Sequence, residues 1–127
     1  MRHALTIAVL CLAGCTIKKG FTPGQLAEIE KSRPRCTSDV QCRVMWTRAR
    51  QWLIANTSYK IQTATDDMLE TYNGGRSDTG LAIRVTKDAQ PDGSYTFDAI
   101  VGCNNFIACD RDLFDVRRSF NTALVGD

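Results

Sequence analysis

The lengths of the connections between its apolar runs constrain this chain's fold more than any other feature. Between residues 59 and 101 four runs alternate apolar and polar side chains, the period-2 pattern of half-buried strands. Tyr59, Ile61 and Thr63 alternate with Lys60 and Gln62, and Met68 to Tyr72 makes a second, less regular run. Leu81, Ile83 and Val85 alternate with Ala82, Arg84 and Thr86; Tyr95, Phe97, Ala99 and Val101 alternate with Thr96, Asp98 and Ile100. Thr65-Asp66-Asp67 joins the first two runs, the flexible-looking stretch 73–80 the next two, and 88–93 the last two. Each is shorter than the dozen or more residues that a parallel crossover takes, so the sheet is expected to be an antiparallel meander. Gly93 supplies the positive φ that a tight hairpin calls for.

A sheet with one apolar face needs a cover, and the flanking segments supply it. Ser38, followed by Gln41, fits a capping box, and Asp39 suits the positive end of a helix. Cys42, Met45, Trp46, Ala49 and Leu53 then recur at helical spacing, with Arg43, Thr47 and Arg50 opposite and Asn56 at the end. Near the C-terminus Asp110 is the expected N-cap of a second helix. Its apolar stripe is Leu113, Val116, Phe120, Ala123 and Leu124, with Arg117 and Arg118 facing water. The expected fold is therefore α+β: two layers, a four-stranded antiparallel meander with two helices packed on one face.

The first fifteen residues carry a different kind of signal. One cation, Arg2, precedes an apolar run from Ala4 to Ala13 that ends in small residues, the order of an export signal. The run is shorter than the ~20 apolar residues of a membrane-spanning helix. Leu12-Ala13-Gly14-Cys15 closes it, and here the chain resembles the bacterial lipoprotein signal class, whose lipobox is a Leu, two small residues and the modified Cys. The resemblance implies cleavage before Cys15, diacylglycerol on its thiol and acylation of its new amine. Two or more chains are what stable anchoring requires, at about 0.8 kcal/mol per buried methylene. With Thr16 and Ile17 following the cysteine, the resemblance also implies an outer-membrane address in a diderm host, facing the periplasm. The division that follows is a signal at 1–14, a tether at 15–35 and one domain at 36–125. The tether contains Gly20, Pro23, Gly24 and Pro34, and Gln25 to Lys31 could add two helical turns.

Export sets the reading of the remaining cysteines. Cys11 departs with the signal, leaving Cys36, Cys42, Cys103 and Cys109 in an oxidising compartment. Their spacings are identical, C-x5-C twice, which favours Cys36–Cys42 and Cys103–Cys109, each at the entrance to a helix. Loop-closure entropy gives such a local bridge about 2.4 kcal/mol and a long-range one about 4.4 kcal/mol, so the two other connectivities remain open. A four-thiolate zinc site is the chemical rival, but its knuckles use two to four intervening residues rather than five.

The rest narrows chemistry. His3 is the one histidine and lies in the signal, so a mature chain has none for general-base work or for a Ser-His or Cys-His pair. Asp66, Asp67 and Glu70 read as a solvated acidic turn, and Asn73-Gly-Gly-Arg76 lacks the Lys-Ser/Thr and the helix of a phosphate loop. No catalytic residue, metal or cofactor is expected, no small-molecule substrate is identified, and nothing suggests nucleic acid. Charge is uneven: 18–50 holds eight cations and three acids, 60–127 seven and eleven. The basic part would be drawn to anionic head groups by about 1 kcal/mol per well-placed cation.

From Cys36 to Phe120 the chain is similar to small lipoprotein domains of bacterial envelopes without assigned activity. The likeness rests on Cys36-x5-Cys42, the segment Tyr59-Lys-Ile-Gln-Thr-Ala-Thr65 and the segment Cys103-Asn-Asn-Phe-Ile-Ala-Cys109. The expected role is a lipid-anchored, non-enzymatic module docking on an envelope protein complex or polymer. Its candidate surfaces are the exposed sheet face (Lys60, Gln62, Arg84, Thr86, Thr96, Asp98), a strand edge, and the loop carrying Asn73, Arg76 and Asp78. The alternative is an inhibitor of a secreted hydrolase acting through the 73–80 loop.

Overall fold

The computed structural model describes residues 20–126. The expected export signal, together with Cys15, Thr16, Ile17, Lys18 and Lys19, lies outside the described residues. Three helices and five strands follow in the order α1 (Pro23–Lys31), β1 (Arg35–Cys36), α2 (Asp39–Asn56), β2 (Ile61–Ala64), β3 (Met68–Thr71), β4 (Ala82–Ala89), β5 (Tyr95–Gly102) and α3 (Leu113–Val125). The architecture is α+β with one antiparallel sheet. No described helix is long and apolar enough to cross a membrane.

The four alternating runs form the meander β2-β3-β4-β5, each strand antiparallel to the next. The expected count of four strands and two helices is corrected at both ends. Arg35 and Cys36 add a fifth strand on the outer side of β5, giving the order β1-β5-β4-β3-β2. Two residues are too few to show alternation, and this strand exists because Pro34 and its neighbours run beside β5, where the Pro34 carbonyl accepts the Phe97 N–H at 3.0 Å. The third helix is α1. Thr22 and Gln25 close a reciprocal capping box around its first turn, with Pro23 at the start, where a missing N–H costs nothing.

Helix α1 lies alongside α3 and parallel to it. Phe21 meets Phe114 edge to face at 6.4 Å, Glu28 faces Arg118 at 3.7 Å, and Asn121 donates to the Ile29 carbonyl (3.2 Å) and the Ser32 hydroxyl (2.9 Å). Ile29 and Asn121 are buried by this contact. The packed unit therefore includes residues upstream of Cys36.

Helix α2 is capped by Ser38, whose hydroxyl accepts the Gln41 N–H at 3.2 Å. The return bond of the expected box goes elsewhere: Gln41 Oε1 takes the Thr37 N–H at 2.8 Å. Met45, Ala49 and Leu53 are buried as expected, and Trp52 joins them, stacked edge to face on Phe120 at 5.0 Å and donating to Ser119 Oγ at 3.0 Å. Helix α3 begins two residues later than expected, because Asp112 rather than Asp110 accepts the Asp115 N–H at 2.9 Å. Its last carbonyls, which a helix end leaves unpaired, receive Arg48: Nη1 donates to Leu124 O (3.1 Å) and Val125 O (3.2 Å).

The core lies between these two helices and one side of the sheet. Cross-strand register puts Val85 beside Leu69 and Ala99, and Lys87 beside Phe97. Leu69, Val85, Phe97 and Ala99 are fully enclosed, and together with Val116, Phe120 and Leu124 they make one cluster. Burying each large side chain contributes about 1.5–3 kcal/mol. At the far end of that face Lys87 stands over the rings of Trp46 (5.6 Å) and Tyr95 (5.3 Å), closing the core with a cation–π contact. The disulfides are Cys36–Cys42 and Cys103–Cys109. Cys36 is itself a core residue, so the first bridge ties β1 to α2 from inside.

Candidate functional site

The strand residues that point away from the helices make up the open face. Register places Arg84 opposite Ile100, Thr86 opposite Asp98, and Asp88 opposite Thr96, so these side chains share one side of β4 and β5. Glu70 of β3 is the cross-strand neighbour of Arg84, and the two are ion-paired. Ile100, beside them, is 55% exposed. At this end of the face is an open hollow of about 420 Å³, lined among others by Gln62, Glu70, Asn73, Arg84, Ile100 and Gly102. It combines an apolar floor with a charge pair and two amides.

The structure brings some of the expected residues together here and not others. Asn73 and Arg84 both line the hollow. Lys60 does not; it precedes β2 at the sheet edge, where its carbonyl accepts the Tyr72 N–H at 3.0 Å. Arg76 is exposed on the adjoining loop. Asp78 is turned back into that loop, where Oδ2 accepts the Gly75 N–H at 2.7 Å.

The 73–80 loop, expected to be flexible, is braced from three directions. Asn104 Nδ2 donates to Gly74 O at 3.0 Å, and the Asp110 N–H donates to Thr79 O at 3.0 Å. Tyr59 lies against Gly74 and Gly80, filling the space that side chains there would need. Glycine is thus the residue that lets the loop close over the ring.

Asp98 and Arg117 also depart from expectation. Arg117 does not face water: Nη2 donates to Asp98 Oδ1 at 2.7 Å, the two side chains only 15% and 23% exposed, and its guanidinium lies 5.4 Å from the Phe21 ring. β1 pairs only with Tyr95 and Thr96, so Asp98 lies just past the stretch of β5 that β1 covers. Arg117 serves that uncovered stretch. Asp98 is therefore engaged rather than free on the open face.

Sequence reasoning passed over one feature of this end of the molecule. The seven-residue loop closed by Cys103–Cys109 carries Phe106 and Ile107, 69% and 64% exposed. Asn105 Oδ1 accepts the N–H groups of Ile107 (2.9 Å) and Ala108 (3.0 Å), fixing the turn that presents them. The signal was legible: two adjacent large apolar residues inside a cysteine-bounded loop that belongs to neither strand nor helix.

The chain matches no family model, no curated protein and no solved structure.

Proposed function

We propose that this chain is a lipid-anchored, non-enzymatic module of a bacterial cell envelope that docks on an envelope protein complex through the open sheet face. The observation that carries the reading is the hollow beside Ile100, where an exposed aliphatic side chain is rimmed by Glu70, Arg84 and Asn73. Protein interfaces are built this way, with an apolar centre and a polar, charged rim that fixes register. The lipobox resemblance at Cys15 supplies the address, and the two disulfides suit an oxidising compartment. An outer-membrane location follows from Thr16 and Ile17 on the same resemblance.

Site-specific photo-crosslinking in intact cells tests this reading. A crosslinker at Ile100 should trap one defined envelope protein, and Arg84→Glu should abolish the product. The same group at Val40, exposed on α2, should trap nothing specific. Equal products from Ile100 and Val40, or none from either, would reject the open face as the docking site.

The bracing of the 73–80 loop favours a second reading, a hydrolase inhibitor, because a rigid loop loses little entropy on entering a foreign cleft. In that case Arg76, exposed on the loop, makes the contact, and Arg76→Ala abolishes inhibition without altering the fold.

A further inference from the structure

The described chain begins at the same end of the molecule as the Cys103–Cys109 loop. Phe21 packs against Phe114 and Arg117, in the first turns of α3. Three residues, Asp110 to Asp112, separate that helix from Cys109. At the tip of the loop, Phe106 and Ile107 project two adjacent apolar side chains into solvent. Exposed large apolar residues are ordinary when scattered; a contiguous pair on a disulfide-closed, hydrogen-bonded turn calls for a surface to meet.

We infer that Phe106 and Ile107 are a membrane-dipping tip, inserted into the interfacial layer of the bilayer that holds the lipid anchor. This rests on the lipobox reading of Cys15. Between Cys15 and Phe21 the chain can span about 20 Å at most, at about 3.3–3.6 Å per extended residue. A lipid on Cys15 therefore holds the α3 N-terminal end of the domain at the bilayer, with the stapled loop ending five residues before Phe114, on which Phe21 packs. Apolar side chains held at a bilayer surface gain by entering the boundary between head groups and acyl chains. Arg111 and Arg76 have Asp110, Asp112 and Asp78 near them in sequence, so at the tip itself apolar burial drives the contact, while Lys18 and Lys19 of the tether add attraction to anionic lipid. A single lipid tether alone leaves a domain free to rotate; a second contact at the tip fixes its orientation. The hollow, which Gly102 and Cys103 help to line, then lies close to the bilayer at the root of the tip.

The test uses the full lipidated chain in phosphatidylcholine vesicles whose acyl chains are brominated near the head group, with the Cys15 adduct verified by intact mass. Tryptophan is introduced as Phe106→Trp or Ile107→Trp, and as Val40→Trp in the first turn of α2, whose last residue, Asn56, accepts from Arg111 beside the loop at 2.7 Å. The signal of native Trp46 and Trp52 is subtracted with the unsubstituted chain. Bromine should quench the tip tryptophan at least twofold more than that at position 40. Equal quenching at the tip and at position 40, on a chain whose adduct is present, would overturn the tip and leave the anchor standing. A chain with no adduct on Cys15 would overturn the anchor reading, and the tip proposal with it.

Discussion

The Tyr59 hydroxyl occupies the space where a β-carbon on Gly74 would stand. This close approach is one of three braces on the 73–80 loop, and it sets the loop backbone against the Tyr59 ring. Gly74→Ala should therefore displace one of them and cost about 1–3 kcal/mol, the range for overpacking a filled site. Denaturant unfolding of Gly74→Ala alone and combined with Tyr59→Ala checks this. The glycine substitution should cost less once the ring is gone, the remainder coming from Asp78 Cβ at 2.8 Å from the same point, and an undiminished cost in the double variant would place its origin elsewhere.

The Arg117–Asp98 pair separates from the other ion pairs by burial. Asp98→Ala leaves a guanidinium that is largely shielded, and whose Nε already has no hydrogen-bond partner. The expected loss is about 1.5–3 kcal/mol. Asp115→Ala breaks the exposed Arg118–Asp115 pair and should cost no more than about 0.5 kcal/mol. Urea midpoints of the two variants decide it; equal losses would show that burial of Arg117 adds nothing.

The two disulfides close loops of equal length, a separation of six in each case, so loop entropy gives both about 2.4 kcal/mol. What differs is packing. Cys36 is fully buried within the core cluster, whereas the other bridge sits at its margin, with Cys109 partly buried against the cluster and Cys103 buried but not part of it. Replacing Cys36 and Cys42 with alanine should cost about 1 kcal/mol more than replacing Cys103 and Cys109, through the cavity left behind. Thermal or urea unfolding of the two double variants measures the difference.

The hairpin between β4 and β5 predicts a pH response. Asp92 accepts from the Ser94 hydroxyl at 2.6 Å and from the Ser94 N–H at 3.0 Å, and it pairs with Arg35. The Ser94 bonds first, and Arg35 after them, hold its carboxyl below the ordinary carboxylate value. A lowered folded-state value means that the carboxylate contributes stability above the unfolded pKa and loses it as pH falls through the folded one. Carbon-detected NMR titration should find Asp92 titrating below a typical aspartate, and Ser94→Ala should move it back upward. An unchanged midpoint in Ser94→Ala would contradict this cause.

The meander was legible because alternation and short connections together leave one arrangement. Helix α2 was legible for the same kind of reason: Ser38 caps it, and Met45, Ala49 and Leu53 repeat on one face. The misses share a physical origin in tertiary contacts that leave no local pattern. β1 is two residues long and is held by register with Tyr95 and Thr96. Helix α1 is a partial miss: two turns over Gln25 to Lys31 were expected inside a tether, but the helix buries a single core residue, Ile29, so its amphipathic signal is faint although its cap is complete. Arg117 carries the sequence mark of a solvated residue, and its pairing with Asp98 is a tertiary contact between α3 and β5. Of the candidate site, the open face followed from strand parity, which put Arg84, Thr86, Thr96 and Asp98 on one side. The hollow did not, because it depends on how the loops after β3 and β5 meet through Asn104 and Gly74.

The proposed role depends on a lipid at residue 15, and intact-mass analysis of the chain recovered from envelopes reads it directly. The account predicts a polypeptide that starts at Cys15 and carries a diacylglyceryl-type adduct there. A chain that retains residues 1–14, or one that starts at Cys15 with an unmodified thiol, would contradict it.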